Sequence, residues 1–205
     1  MLRAWINPHY VQENIVQDLR RKFRKNRPFS HLELPGFFKE EKIRTLLPAL
    51  HREKFYLKNS DLFTFLQTND FKGTKNRTLQ QFRLFLSSPE FVHYISFLSG
   101  KKLHHTIDMF GTVYKNTHYL LPHDDQVEDR KIAYFLYFST LTKKDGGKLL
   151  LYASKNKKPS AVAHHILPAF NTFAFFKVST KSFHEVEEVI SATQRVTITG
   201  WFHGN

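Results

Sequence analysis

The sequence predicts an α+β fold, with N-terminal helices packed on one sheet of a double β-sheet of jelly-roll type. Three observations lead there. Apolar residues recur at helical spacing through the first half, as in Val11, Ile15, Leu19 and Phe23. From residue 105 the chain changes to short β-branched or aromatic runs separated by turn residues. Phenylalanine supplies 21 of 205 residues, and large flat rings suit a pleated surface. Helices first and many strands later argue against alternating βαβ units, and strands in close succession argue for two stacked sheets.

Asn7-Pro8 reads as an N-cap with proline in the first turn, opening a helix that Pro28 closes. A short strand at Leu32 to Leu34 ends at Pro35-Gly36. Ile43, Leu46, Leu47 and Leu50 mark a second helix, and further helices cover Leu79 to Leu86 and Pro89 to Leu98, ending at Gly100. Strands follow at Thr106 to Tyr114, Ile132 to Phe138, Leu149 to Tyr152, Thr172 to Val178 and Val196 to Phe202. Asp145-Gly146-Gly147 and Pro168-Ala169-Phe170-Asn171 are the turns between them. With no repeat, linker or low-complexity stretch, the expectation is one domain over 1–205, with 1–104 mainly helical support and 105–205 the sheet core.

The chain has no cysteine, so a metal would have to be held by His, Asp or Glu. No basic head with an apolar run follows Met1, and no stretch approaches the roughly 18–20 apolar residues of a membrane span. A soluble cytoplasmic protein is expected, or a nuclear one if the source is eukaryotic. Net charge is +13. Such an excess concerns partners, and RNA or a ribosomal surface fits it. The run Arg20 to Arg27 reads as a solvated helix end, where cations are favoured.

In a strand-like stretch His123 and Asp125 point to one face, as a metal requires of a His-x-Asp pair. Taken singly, the pair reads equally as a surface coincidence, and His184 as a satisfied strand histidine. Together they would offer two imidazoles and one carboxylate, leaving positions of an octahedral ion open, as in non-haem Fe(II) oxygenases. Zinc could take the same trio. Arg195 opens an alternating strand eleven residues beyond His184, where a hairpin would set the two side by side. Its guanidinium can clamp a carboxylate through two parallel hydrogen bonds, and Thr197 on the same face can add a hydroxyl.

The blocks His123-Asp124-Asp125, Asp145-Gly146-Gly147-Lys148-Leu149, Ser182-Phe183-His184-Glu185-Val186 and Arg195 through Gly204 resemble the prolyl-hydroxylase branch of the Fe(II)/2-oxoglutarate oxygenases. More narrowly, they resemble the catalytic domain of the eukaryotic ribosomal-protein prolyl 3-hydroxylases. Arg27-Pro28-Phe29-Ser30-His31, Asp61-Leu62-Phe63 and Thr106-Ile107-Asp108-Met109 extend the similarity through nearly the whole chain. The resemblance implies a double-stranded β-helix core, with His123, Asp125 and His184 as iron ligands and no catalytic group beyond them. It implies Arg195 as partner of the 2-oxoglutarate C5 carboxylate, and Tyr114 and Tyr137 in the co-substrate pocket. Fe(II), 2-oxoglutarate, O2 and an ascorbate supplement are the implied cofactors. The implied reaction is hydroxylation of a prolyl residue in a ribosomal or other translation-related protein. Two alternatives stay open: a non-catalytic nucleic-acid or ribosome binding module on the same fold, and zinc hydrolysis.

Overall fold

The computed structural model describes residues 1–127 and 129–205. In chain order the elements are α1 (Leu2–Trp5), α2 (Glu13–Lys25), β1 (His31–Leu34), α3 (Glu40–His51), β2 (Tyr56–Ser60), β3 (Phe63–Gln67), α4 (Arg77–Leu86) and α5 (Pro89–Ser99). There follow β4 (Leu103–Ile107), β5 (Phe110–Tyr114), β6 (Tyr119–His123), β7 (Arg130–Tyr137), β8 (Leu149–Lys155), β9 (Lys158–Ile166), β10 (Phe173–Lys177), β11 (His184–Val186) and β12 (Arg195–Gly204). Hydrogen bonding runs in the order β1-β10-β7-β12-β5-β3-β6-β11-β8-β9, with β2 on β3 and β4 on β12. Every pairing is antiparallel. The two end strands approach each other, with the rings of His31 on β1 and His164 on β9 only 4.8 Å apart. The result is the nearly closed barrel of a double-stranded β-helix.

The central strands read as unbroken apolar runs because both of their faces are buried. On β7, Ile132, Tyr134 and Leu136 point outward into a core shared with the helices, where Leu19, Phe23, Ile43, Phe82 and Phe91 meet them. The alternate residues Ala133, Phe135 and Tyr137 point into the barrel and join Ala174, Phe176, Leu149 and Leu151. On β12 the same alternation sends Val196, Ile198 and Phe202 outward to the helices. It leaves Arg195, Thr197, Thr199 and Trp201 for the interior. Among the described residues no helix is long and apolar enough to cross a membrane.

Several expectations need correction. The first helix is two pieces: Asn7 caps a 3-10 turn over Pro8–Val11, and the α-helix begins only at Glu13, after an extended Gln12. The strand read over Thr106 to Tyr114 is broken at Asp108-Met109. There the Asp70 carboxylate takes the Met109 N–H, and the Asp108 carbonyl takes the Tyr134 hydroxyl. That carbonyl passes so close to β12 that a Cβ on Gly200 would lie 1.9 Å from it, which is why glycine stands mid-strand. The sequence reading also missed the β2–β3 hairpin and β9. The hairpin matters, because β3 turns the corner of the barrel by pairing with both β5 and β6.

Asn171 joins the helical layer to the barrel. Its side chain donates to the Phe38 carbonyl (2.7 Å) and accepts from the Phe38 N–H (3.2 Å), while its backbone pairs with Phe37 and Tyr137. Its φ of +58° is tolerated by Asn better than by most residues. Asn171→Ala should therefore orphan a buried donor and a buried acceptor, lowering unfolding free energy by about 2–4 kcal/mol in urea melts; a change under about 0.5 kcal/mol would show the junction to be incidental.

Candidate metal centre

Three elements bring the metal-type ligands together. His123 is the last residue of β6 and lies directly across from His184, the first of β11. Their rings stand 4.1 Å apart. Asp125 completes the trio from the turn after β6. Strand alternation does not place it there: its backbone has φ +59°, and this left-handed step folds the carboxylate back over the two rings. The candidate ligand atoms of His123, Asp125 and His184 lie within 4.8 Å of one another. A loop contact holds the turn, since the buried Ser182 hydroxyl reaches the Asp124 carbonyl at 3.1 Å.

Hydrogen bonding fixes which ring nitrogen faces inward. His123 Nδ1 lies 2.9 Å from the Leu121 carbonyl, and His184 Nδ1 lies 2.8 Å from that of Ser182. A carbonyl only accepts, so each Nδ1 carries the proton and each Nε2 presents its lone pair. Those lone pairs face Asp125, at 3.5 Å from His123 and 3.3 Å from His184. Three electron-pair donors thus confront one another in a mostly buried place, an arrangement that a cation relieves. Trp201 Nε1 donates to Asp125 Oδ2 at 3.0 Å and holds the carboxylate in position.

When no metal is bound, a proton on an Nε2 takes the cation's place beside Asp125, and the titration of the three groups reflects that pairing. Burial alone would raise the Asp125 carboxyl, but the His184 and His123 imidazoles outweigh it and hold it well below its usual range. His184 is lowered, first by burial and then by His123. His123, nearer the rim, is raised, because the hydrogen bond and charge of Asp125 overcome its burial.

Arg195 occupies the same cavity as the trio. It is 1% exposed, yet its Nε and Nη2 have no hydrogen-bond partner among the described residues. In place of a carboxylate it has rings: its guanidinium carbon lies 5.1 Å from the centroids of Tyr114 and Tyr137 and 6.0 Å from Phe135. Burial pushes both tyrosine hydroxyls up, against the pull of this cation. A buried guanidinium without a counter-ion is costly unless an anion completes it. The geometry therefore fits a metal beside a carboxylate-bearing co-substrate. Cations and anions each have a waiting partner.

The sequence reading placed these residues with mixed success. His123, Asp125, His184, Arg195 and Tyr114 border one cavity. Tyr137 stands behind its wall, with a buried hydroxyl that has no hydrogen-bond partner among the described residues. The Thr197 hydroxyl bonds to that of Thr112, and it is Thr112 that faces the cavity. The expected hairpin between His184 and Arg195 does not form. Strand β11 pairs with β6 and β8, and β12 with β4, β5 and β7, so the two residues meet across the barrel. Trp201, to which the sequence reading gave no role in the site, is a cavity residue bonded to Asp125. Its position on the Arg195, Thr197, Thr199 face was the available signal. Phe65 and Gln67 come from the unforeseen hairpin.

Residues 109–203 match the family model of the 2OG-Fe(II) oxygenase superfamily. The chain is 38% identical over 184 residues to prolyl 3-hydroxylase OGFOD1 of Mus musculus, covering 86% of this chain and 33% of that protein. It is 34% identical over 201 residues to prolyl 3,4-dihydroxylase OGFOD1 of Ostreococcus tauri, covering 86% and 38%. The chain thus spans about a third of the length of the curated relatives it matches. The crystal structure of a Pseudomonas putida prolyl-4-hydroxylase superposes with a TM-score of 0.73 at 16% identity, over 91% of this chain and 99% of that one, a likeness of fold. The barrel strands β5 to β11, β12 as far as His203, and the converging trio thus lie in the stretch that matches the 2OG-Fe(II) oxygenase superfamily model, residues 109–203.

Proposed function

We propose that this chain is an Fe(II)- and 2-oxoglutarate-dependent dioxygenase that hydroxylates a prolyl residue of a ribosomal or other translation-related protein. Residues 1–205 act as one oxygenase unit, in which 1–104 support the barrel and also contribute β1, β2 and β3 to its wall. His123, Asp125 and His184 hold the metal, and Arg195 receives the far carboxylate of the co-substrate. The observation that carries this reading is the pairing, in one cavity, of three confronted donor groups with a buried guanidinium, two of whose nitrogens have no partner among the described residues. Hydrolytic zinc chemistry gives no reason for the second feature.

Fe(II) with 2-oxoglutarate supplies the activation of O2 and the oxidation of a C–H bond. The chain's own residues bind, orient and exclude water. The Leu121 and Ser182 carbonyls keep both imidazoles turned with Nε2 inward. Trp201 keeps the Asp125 carboxylate from rotating. Tyr114, Tyr137 and Phe135 sheathe the guanidinium, so an anion arriving there meets an unscreened charge. Leu120, Val186 and Phe65 make an apolar stretch of the remaining wall, which Gln67, Thr112 and Thr199 complete with polar groups. The substrate class follows the prolyl hydroxylases to which the chain is similar, and the net charge of +13 suits a target presented on RNA. A cytoplasmic or nuclear site of action goes with such a target.

His184→Ala is expected to abolish succinate formation from 2-oxoglutarate with Fe(II); succinate formation above a tenth of the unaltered rate, or formation by the unaltered chain that is equal with Zn(II) in place of Fe(II), would refute the assignment. Trp201→Phe removes a hydrogen bond to a ligand while keeping the ring, and should weaken Mn(II) or Fe(II) binding about 10-fold, as outer-shell losses do. Titration by calorimetry reads this out, and an unchanged affinity would show the indole to be mere packing. Arg195→Met should abolish 2-oxoglutarate binding yet leave the ligand-free protein as stable or more so, because a buried unpaired charge is replaced by an apolar chain of similar volume. A clear loss of thermal stability in that variant would mean that the guanidinium has a structural partner.

A further inference from the structure

Three lysines crowd together at the end of the barrel next to the cavity mouth. Lys131 opens β7, Lys177 ends β10 beside it in register with Ile132, and Lys101 follows α5. The packing is close. A Cβ on Gly204 would lie 2.2 Å from the Lys102 carbonyl and 3.2 Å from Lys131 Cγ, and the Val178 N–H donates to the Lys131 carbonyl at 2.9 Å. Arg24 adds a fourth cation, its Nη2 lying 3.8 Å from where a Gly100 Cβ would stand. All three lysines are only partly exposed, and among the described residues none forms an ion pair. Burial, then the neighbouring Lys177 and Lys131, hold the Lys101 ammonium below its ordinary value. Like charges gathered in partial shelter repel until an anion sits among them.

The depression that Lys101 and Lys131 border is also lined by Arg130, Ser179 and Thr180, with one carboxylate, Asp129, and the C-terminal Asn205 among them; Lys177 stands beside it, in register with the residue after Lys131. Two of these segments are continuous with the metal centre: Arg130 stacks 3.5 Å over Trp201, which bonds Asp125, and Ser179 is bonded to Ser182, which holds the Asp124 carbonyl. We propose that this depression is a docking surface for the phosphate backbone of single-stranded RNA, set against the rim of the oxygenase site. Several separated cations with hydroxyl donors between them suit a chain of regularly spaced phosphates. The excess of +13 spread over the remaining surface suits a polyelectrolyte, whose binding draws on counterion release, better than a short acidic peptide. Val127 is the one large exposed apolar residue lining the depression, too little for insertion into a lipid surface. The choice of RNA rests on the translation-related target proposed above; the charge cluster does not.

The test is fluorescence anisotropy of a labelled 20-nucleotide single-stranded RNA of mixed sequence with the full chain, titrated over a series of KCl concentrations without metal or 2-oxoglutarate. The oxygenase reading therefore stands or falls separately, on succinate formation. The variant Lys101→Gln, Lys131→Gln, Lys177→Gln should bind at least about 10-fold more weakly at 100 mM KCl, and the slope of log affinity against log salt should fall by about 2, or about 0.7 per lost phosphate contact. A charge-matched variant, Lys143→Gln, Lys155→Gln, Lys158→Gln, removes three cations that do not border the depression and should bind within about twofold of the unaltered chain. Equal loss in the two triple variants would reduce the effect to bulk charge and overturn the proposal. So would absence of salt-dependent RNA binding by the unaltered chain, or tighter binding of poly-L-glutamate than of RNA. If the first triple variant does not fold, Lys101→Gln and Lys177→Gln singly should each weaken binding about two- to threefold, and no weakening in either overturns it.

Discussion

Within one barrel the chain maintains two unresolved electrostatic demands of opposite sign. Two Nε2 lone pairs and a carboxylate face each other at 3.3–3.5 Å, and a guanidinium with two unbonded nitrogens lies buried in the same cavity. Neither would survive in a loosely packed protein, where rings would rotate and the arginine would reach for water. The remaining architecture holds both in place. Backbone carbonyls lock the imidazoles, an indole locks the carboxylate, and three aromatic rings confine the cation.

That confinement explains the division of labour on the central strands. With the outer faces of β7, β10 and β12 covered by the helical core, their inner faces need not supply all the hydrophobic burial. Strand β12 can then spend alternate positions on Arg195, Thr197, Thr199 and Trp201 while Val196, Ile198 and Phe202 secure it to the helices. The phenylalanine excess belongs mainly to this outer layer, where Phe37, Phe38, Phe82, Phe85, Phe91, Phe173 and Phe175 interlock. Rigid rings with few rotamers make a stiff backing, and a stiff backing is what a site of unsatisfied groups requires.

Much of this was legible in the sequence, for identifiable reasons. Helical spacing showed the stripe on α2, and β-branched and aromatic runs showed β7, β10 and β12, because those segments bury continuous faces. The trio and Arg195 were legible because their chemistry constrains residue type and order. What failed was whatever depends on tertiary partners. Tyr56–Ser60 is exposed throughout, so the β2–β3 hairpin leaves no alternation to read, and its place in the barrel comes from pairing with β5 and β6. The hairpin imagined between His184 and Arg195 was a guess from proximity in sequence, whereas the barrel brings them together from opposite walls.

Asp125 and Trp201 carry the same lesson to single residues. Alternation along a strand explains why His123 and a residue two positions on could share a face, but the chain uses a left-handed turn, which Asp accommodates more easily than most side chains. Leaving the strand at that point moves the carboxylate off the sheet lattice and over the rings, where the turn's own loop, latched through Ser182, sets its height. Trp201 then meets it from β12, and Arg130, at the start of β7, stacks on the indole. Asp125 thus supplies a ligand and Arg130 the clamp on that ligand's partner, so the metal centre and its outer rim meet at one indole.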